Sequence, residues 1–154
     1  MTAKFTPPKK ILWVDDDRFY IKCGKKALEL LRYDPLTAQS GWQAIKIYQE
    51  HKNEICLVIL EMTIPDISWR NVYKELIQIN PGLKVLVITG TKGSDLMLGL
   101  PQNGAVKFFT KPFTIHELSD KISSILEESP PSQQSSQPFW AVYHNNRLMG
   151  AINL

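Results

Sequence analysis

Four short apolar runs, at 11–14, 55–60, 83–88 and 105–109, constrain this chain more than any other feature. They are rich in Ile, Val and Leu, and they are continuous rather than alternating. A strand with one wet face alternates apolar and polar residues, so continuous runs of this length suit strands covered on both faces of a parallel sheet. A fifth, weaker strand is expected near Pro35–Gln39. Helical patterns fall between the runs. Residues 18–32 place Tyr20, Cys23, Ala27, Leu30 and Leu31 on one face, and residues 41–51 do the same with Ala44, Ile45 and Tyr48. A third helix begins near Ser68, carries Val72, Leu76 and Ile79, and stops at Pro81-Gly82. The last has the clearest start, because Thr114 followed three residues later by Glu117 reads as a capping box. Strands alternating with helices require crossover connections and a parallel sheet with helices on it.

The stretch Gly93–Asn103 is the weak link. It should be a helix, yet it holds Gly93, Gly99 and Pro101. Gly costs roughly 1 kcal/mol and Pro about 3 inside a helix, so a short or frayed element is expected there. After Glu128 the composition turns to Ser, Pro and Gln over 129–138, a polar linker that cannot build a core. The tail 139–154 is apolar again, and Asn145-Asn146 could turn a hairpin. Its aromatic residues are costly to leave in water, which favours docking on the globular part, a partner or a second copy. The organisation expected is an N-terminal arm at 1–8, one domain at 9–128, the linker and the tail, with no output domain.

Composition excludes several function classes. The 154 residues suffice for one full core, and 44% hydrophobic residues is ordinary for a globular protein. Net charge is +3 and looks spread along the sequence, with only Lys4, Lys9 and Lys10 as a small basic cluster, which argues against nucleic acid. Cys23 and Cys56 have no metal-ligand spacing and read as reduced core residues of a cytoplasmic protein. Nothing resembles a secretory segment or an apolar run long enough to span a membrane.

The polar residues at the ends of the apolar runs carry the chemistry. Asp15-Asp16-Asp17 ends the first, Glu61 the second, Thr89 the third, and Lys111-Pro112 follows the fourth. Open parallel sheets bind ligands beyond the carboxyl ends of their strands, where the strand order reverses. With the first and third strands adjacent at that point, Asp15, Asp16 and Glu61 converge. Three carboxylates in one pocket repel one another unless a cation or a shared proton relieves them. Mg²⁺, a hard ion that keeps several waters beside one or two carboxylates, is the natural partner. Thr89 and Lys111 would offer a hydroxyl and an ammonium to phosphoryl oxygens. Taken singly, Asp17 could be a helix cap and Lys111 a surface lysine. Together at successive strand ends, these groups point to one site. A nucleotide or flavin site is disfavoured, because the loop after the first strand is Asp-rich rather than Gly-rich.

Over residues 9–128 the chain resembles the receiver domain of two-component response regulators. The pieces ILWVDDD, SGWQAIKIY, LVILEMTIPD, VLVITG and GAVKFFTKPF carry the resemblance, as do the 22 residues from Thr89 to Lys111. It implies an α/β fold, flavodoxin-like and doubly wound, with a five-stranded parallel sheet in the order 2-1-3-4-5 and helices on both faces. It also implies that Asp15 and Asp16 are metal-binding acids, with Glu61 completing the set at the phosphoacceptor position. Thr89 matches the switch hydroxyl, Phe108 the switch aromatic, and Lys111 the lysine that contacts the acyl phosphate. Pro112 follows Lys111 through what the family usually forms as a cis peptide.

Three departures from the family pattern stand out. Glu61 replaces the phosphorylated aspartate, and its extra methylene moves the carboxylate about 1.5 Å. Trp69 stands where glycine is common and is expected to crowd the entrance. Cys56 replaces a commonly acidic residue. The leading expectation is therefore a stand-alone, atypical receiver: not an enzyme, but a protein-interaction module working without Asp phosphorylation. Its expected partners are a histidine kinase, a phosphotransfer protein or a downstream effector. One alternative is a Mg²⁺-dependent phosphoryl acceptor in a phosphorelay, using Glu61 or a neighbouring acid. Another is a structural module that self-associates as a homodimer.

Overall fold

A computed structural model describes residues 6–90 and 106–126. The elements are β1 (Lys10–Val14), α1 (Arg18–Leu30), β2 (Asp34–Ala38), α2 (Gly41–His51), β3 (Ile55–Glu61), α3 (Trp69–Ile79), β4 (Val85–Thr89), β5 (Val106–Thr110) and α4 (Ile115–Leu126). The five strands form one parallel sheet in the order β2-β1-β3-β4-β5. The expected weak helix at 93–103, the linker and the tail lie outside the described residues.

The continuous apolar runs are explained by two cores, one on each face. Along β1, Leu12 and Val14 join the core beneath α2 and α3, while Ile11 and Trp13 join the core beneath α1 and α4. Val58 and Leu60 of β3, and Val85 and Val87 of β4, go to the first; Leu57, Ile59, Leu86 and Ile88 go to the second. Period-2 alternation is intact, but both faces are dry, so neither face shows polar residues.

The helices start on caps supplied by the sequence. Asp17 accepts from the Phe19 N–H at 2.8 Å, Ser40 from Gln43 at 3.1 Å and Ser68 from Asn71 at 3.3 Å. The Thr114–Glu117 capping box forms in both directions, at 2.7 and 3.0 Å. Asp66, in the loop after β3, accepts from the N–H groups of Gly41 and Trp42 at 3.0 and 3.1 Å, tying that loop to the start of α2. Burial works against the Asp66 carboxylate, but these donated hydrogen bonds outweigh it and lower its pKa.

The face assigned to α1 needs correction. Its buried residues are Ile21, Cys23, Gly24, Ala27 and Leu28, whereas Leu30 is 50% exposed and Tyr20 turns toward the sheet's carboxyl edge. Apolar type alone misplaced the stripe, because Gly24 belongs to it. A Cβ at Gly24 would stand 2.5 Å from the Trp13 ring, so glycine is what lets α1 lie against β1. Gly24→Ala therefore separates two opposed effects. Helix propensity alone would stabilise the protein by roughly 1 kcal/mol, whereas overpacking against Trp13 costs about 1–3 kcal/mol. Net destabilisation in urea unfolding is expected.

Candidate functional site

The register of the sheet assembles the site. Val14 pairs with Leu60, so Asp15 and Glu61 emerge side by side beyond β1 and β3. Lys111 follows β5, and its N–H donates to the Thr89 carbonyl at 2.9 Å, fixing the end of β5 against the end of β4. A cleft of about 400 Å³ opens here, lined by Asp15, Asp16, Asp17, Tyr20, Glu61, Thr63, Gly90 and Lys111. Of the acids expected to converge, Asp15 and Glu61 are buried, at 2% and 6% exposure, while Asp16 sits exposed at the rim.

The Lys111 ammonium is the centre of the arrangement. It lies 2.7 Å from Glu61 Oε2, 3.4 Å from Asp15 Oδ2 and 3.6 Å from the centre of the Tyr20 ring. The Glu61 contact is a close ion contact rather than a well-directed hydrogen bond. The other oxygen, Oε1, accepts from the Thr63 hydroxyl at 3.0 Å. Asp15 Oδ1 accepts from the Asp17 N–H at 2.9 Å. The Lys111–Pro112 peptide bond is cis.

Two of the residues singled out in the sequence stand behind the cleft rather than in its wall. Thr89 is buried at the end of β4. Phe108 packs edge-to-face on Trp69 with ring centres 5.8 Å apart. Trp69, expected to crowd the entrance, is 6% exposed and belongs to the core beneath α2 and α3. An indole at the first position of α3 finds a dry pocket against β5, and burial there is more favourable than exposure at the cleft mouth.

Tyr20 and Thr63 are site residues that sequence reasoning missed. Thr63 lies in the turn that follows β3, where its hydroxyl reaches back to the Glu61 carboxylate. Tyr20 sits in the first turn of α1, directly after the acidic loop, and that nearness to Asp15–Asp17 was the available signal.

Hard carboxylate oxygens are chemically suitable for Mg²⁺. However, among the described residues no three His, Cys, Asp or Glu side chains stand together as a metal-binding group. Both buried carboxylates already face an ammonium. The residues as placed do not form a ready divalent site, and Lys111 offsets only part of their negative charge.

Burial pushes the Asp15 pKa up from 3.8 to about 6; the Glu61 charge adds to the rise, while the Asp17 N–H and the Lys111 charge oppose it. Burial alone would lower the Lys111 pKa, but Glu61 and Asp15 outweigh it and raise it, so Lys111 stays cationic at neutral pH. Because the folded state holds the Asp15 proton more tightly than the unfolded chain, ionising Asp15 costs stability. That cost is absent below about pH 4, grows as pH rises, and is complete above about pH 6. Asp15→Asn should thus raise the melting temperature at pH 7.5, with the gain shrinking toward pH 4.

Comparisons with known proteins agree with this geometry. The family described as "Response regulator receiver domain" matches residues 11–123. The alkaline phosphatase synthesis transcriptional regulatory protein PhoP of Bacillus subtilis is 32% identical over 130 residues, covering 84% of this chain and 53% of PhoP. The chain thus spans about half the length of that relative. A response regulator receiver domain protein from Clostridium thermocellum superimposes with a TM-score of 0.72 at 30% identity, over 77% of this chain and 94% of that one. The response regulator TrrA of Thermotoga maritima, solved in complex with Mg²⁺ and BeF, gives a TM-score of 0.66 at 27% identity, over 76% and 98%. With its sheet order, its paired strand-end acids and its Lys111 all in the matched segment, this chain belongs to the response regulator receiver domain family.

Proposed function

We propose that this chain is an atypical receiver of two-component signalling, a protein-interaction module whose state is set without phosphorylation of an aspartate. The observation that carries the reading is the double anchoring of Glu61 by Lys111 and Thr63. In place of a short acid facing the cleft, the residue at the phosphoacceptor position is a longer acid whose two oxygens are both engaged. An in-line phosphoryl transfer is sensitive to placement at about the 1 Å scale, where an error can cost roughly 100-fold. The extra methylene of Glu61 exceeds that.

The same geometry supports a role for Glu61 as a built-in negative charge on Lys111. The ammonium has its partner in the resting protein. Phe108, the expected switch aromatic, is packed on Trp69. Both features favour one persistent state, in which the protein acts by binding rather than by catalysis. A histidine kinase, a phosphotransfer protein or a downstream effector in the cytoplasm is the proposed kind of partner. The output activity of longer relatives is not carried over.

Intact-mass measurement after incubation with acetyl phosphate and Mg²⁺ tests this directly. The wild type should show no phosphoryl adduct, and Glu61→Asp should acquire one. An adduct on the wild type, mapped to Glu61 or a neighbouring acid, would favour the phosphorelay reading instead.

A further inference from the structure

Neither the balance of charge nor the phosphoacceptor position explains why an aromatic ring stands in the cleft. The centre of the Tyr20 ring lies 3.6 Å from the Lys111 ammonium, well inside cation–π range. An ammonium has three N–H donors, and Asp15 Oδ2, Glu61 Oε2 and this ring surround the one on Lys111. Although a cleft of about 400 Å³ opens beside it, the Lys111 side chain is only 9% exposed.

Ordinary packing accounts for many half-buried tyrosines at the start of a helix, but this ring is held in register with a charge. Asp15 Oδ1 accepts from the Asp17 N–H, and Asp17 in turn accepts from the Phe19 N–H. The carboxylate that faces Lys111 thereby also sets the first turn of α1. Tyr20 follows Phe19, and the two rings meet edge-to-face with centres 5.9 Å apart. Both lean on the core beneath α1 and α4. Burial raises the Tyr20 pKa more than Lys111 lowers it, so the phenol is neutral and presents a π face rather than a phenolate.

We propose that Tyr20 is a positioning residue for Lys111: its ring holds the ammonium on Glu61 and Asp15 and shields it from anions that enter the cleft. This deepens the reading of Glu61 as the acid that already engages Lys111, and it rests on that reading. An incoming phosphoryl oxygen would have to displace the ring or a carboxylate to reach Nζ. Shortening Glu61 to aspartate removes one of these obstacles and leaves the other.

The test treats the full chain with sulfo-NHS acetate, an anionic acylating reagent, under conditions that modify each molecule about once at most. Acetylation of Lys111 is mapped by peptide mass, with the exposed Lys46 as internal reference. Tyr20→Met fills similar space without a π face and should raise Lys111 labelling at least about tenfold. Tyr20→Phe keeps the ring and should stay within about twofold of the wild type. The ε-methylene protons of Lys111 give a direct signature of the contact by NMR. Ring-current shielding should hold them upfield in the wild type and in Tyr20→Phe, and release them in Tyr20→Met. Tyr20→Leu is run alongside, and circular dichroism melting keeps the comparison to folded variants. Unchanged Lys111 labelling in the folded Met and Leu variants, equal labelling of the Phe and Met variants, or an unmoved methylene signal would each overturn the proposal. An acetyl phosphate adduct on the wild type would refute the Glu61 reading yet leave the labelling comparison standing. Unchanged labelling would do the reverse.

Discussion

The buried contact between Lys111 and the two carboxylates of Glu61 and Asp15 is the constraint on which the site depends. Two acids emerging from adjacent strands, both nearly out of water, cannot remain ionised beside each other without a positive charge. Lys111 supplies it from the far side of β4, with Tyr20 beneath its ammonium. This requires the crossover order of the sheet, because β1 and β3 must be neighbours and β5 must end level with β4. Removing the ammonium from such a buried set strands both carboxylates, which typically costs about 3–5 kcal/mol.

That constraint also links the packed interior to the proposed role. Glu61 is long enough to reach Lys111 and still accept from Thr63, so the pair is complete in the protein alone. Behind it, Trp69 fills the space beside Phe108. The core and the cleft are therefore joined through β5, with Phe108 and Lys111 only three residues apart. On the opposite layer, α1 brings Tyr20 into the cleft against the Lys111 ammonium.

What the sequence revealed and what it concealed follow from the range of the interactions. The strands were legible because continuous apolar runs have few alternatives to a sheet covered on both sides, and the helix starts because Asp17, Ser68 and the Thr114–Glu117 pair act locally. The position of Leu30 was not legible. Gly24 carries no hydrophobic signal, yet its closeness to Trp13 decides which face of α1 turns inward. The destination of Trp69 depended on the gap beside Phe108, forty residues downstream. The convergence of Asp15 and Glu61 was legible from strand ends; that an ammonium rather than a ready metal site would meet them was not.

The coupling free energy between Glu61 and Lys111 tests the central claim most directly. It is obtained from urea unfolding of the wild type, Glu61→Gln, Lys111→Met and the double variant at pH 7.5. A coupling of about 2 kcal/mol is predicted, with the double variant less damaged than the two single losses combined would imply. A coupling below about 0.5 kcal/mol would mean that Lys111 does not hold Glu61, contradicting the account of an acid anchored by the protein's own ammonium.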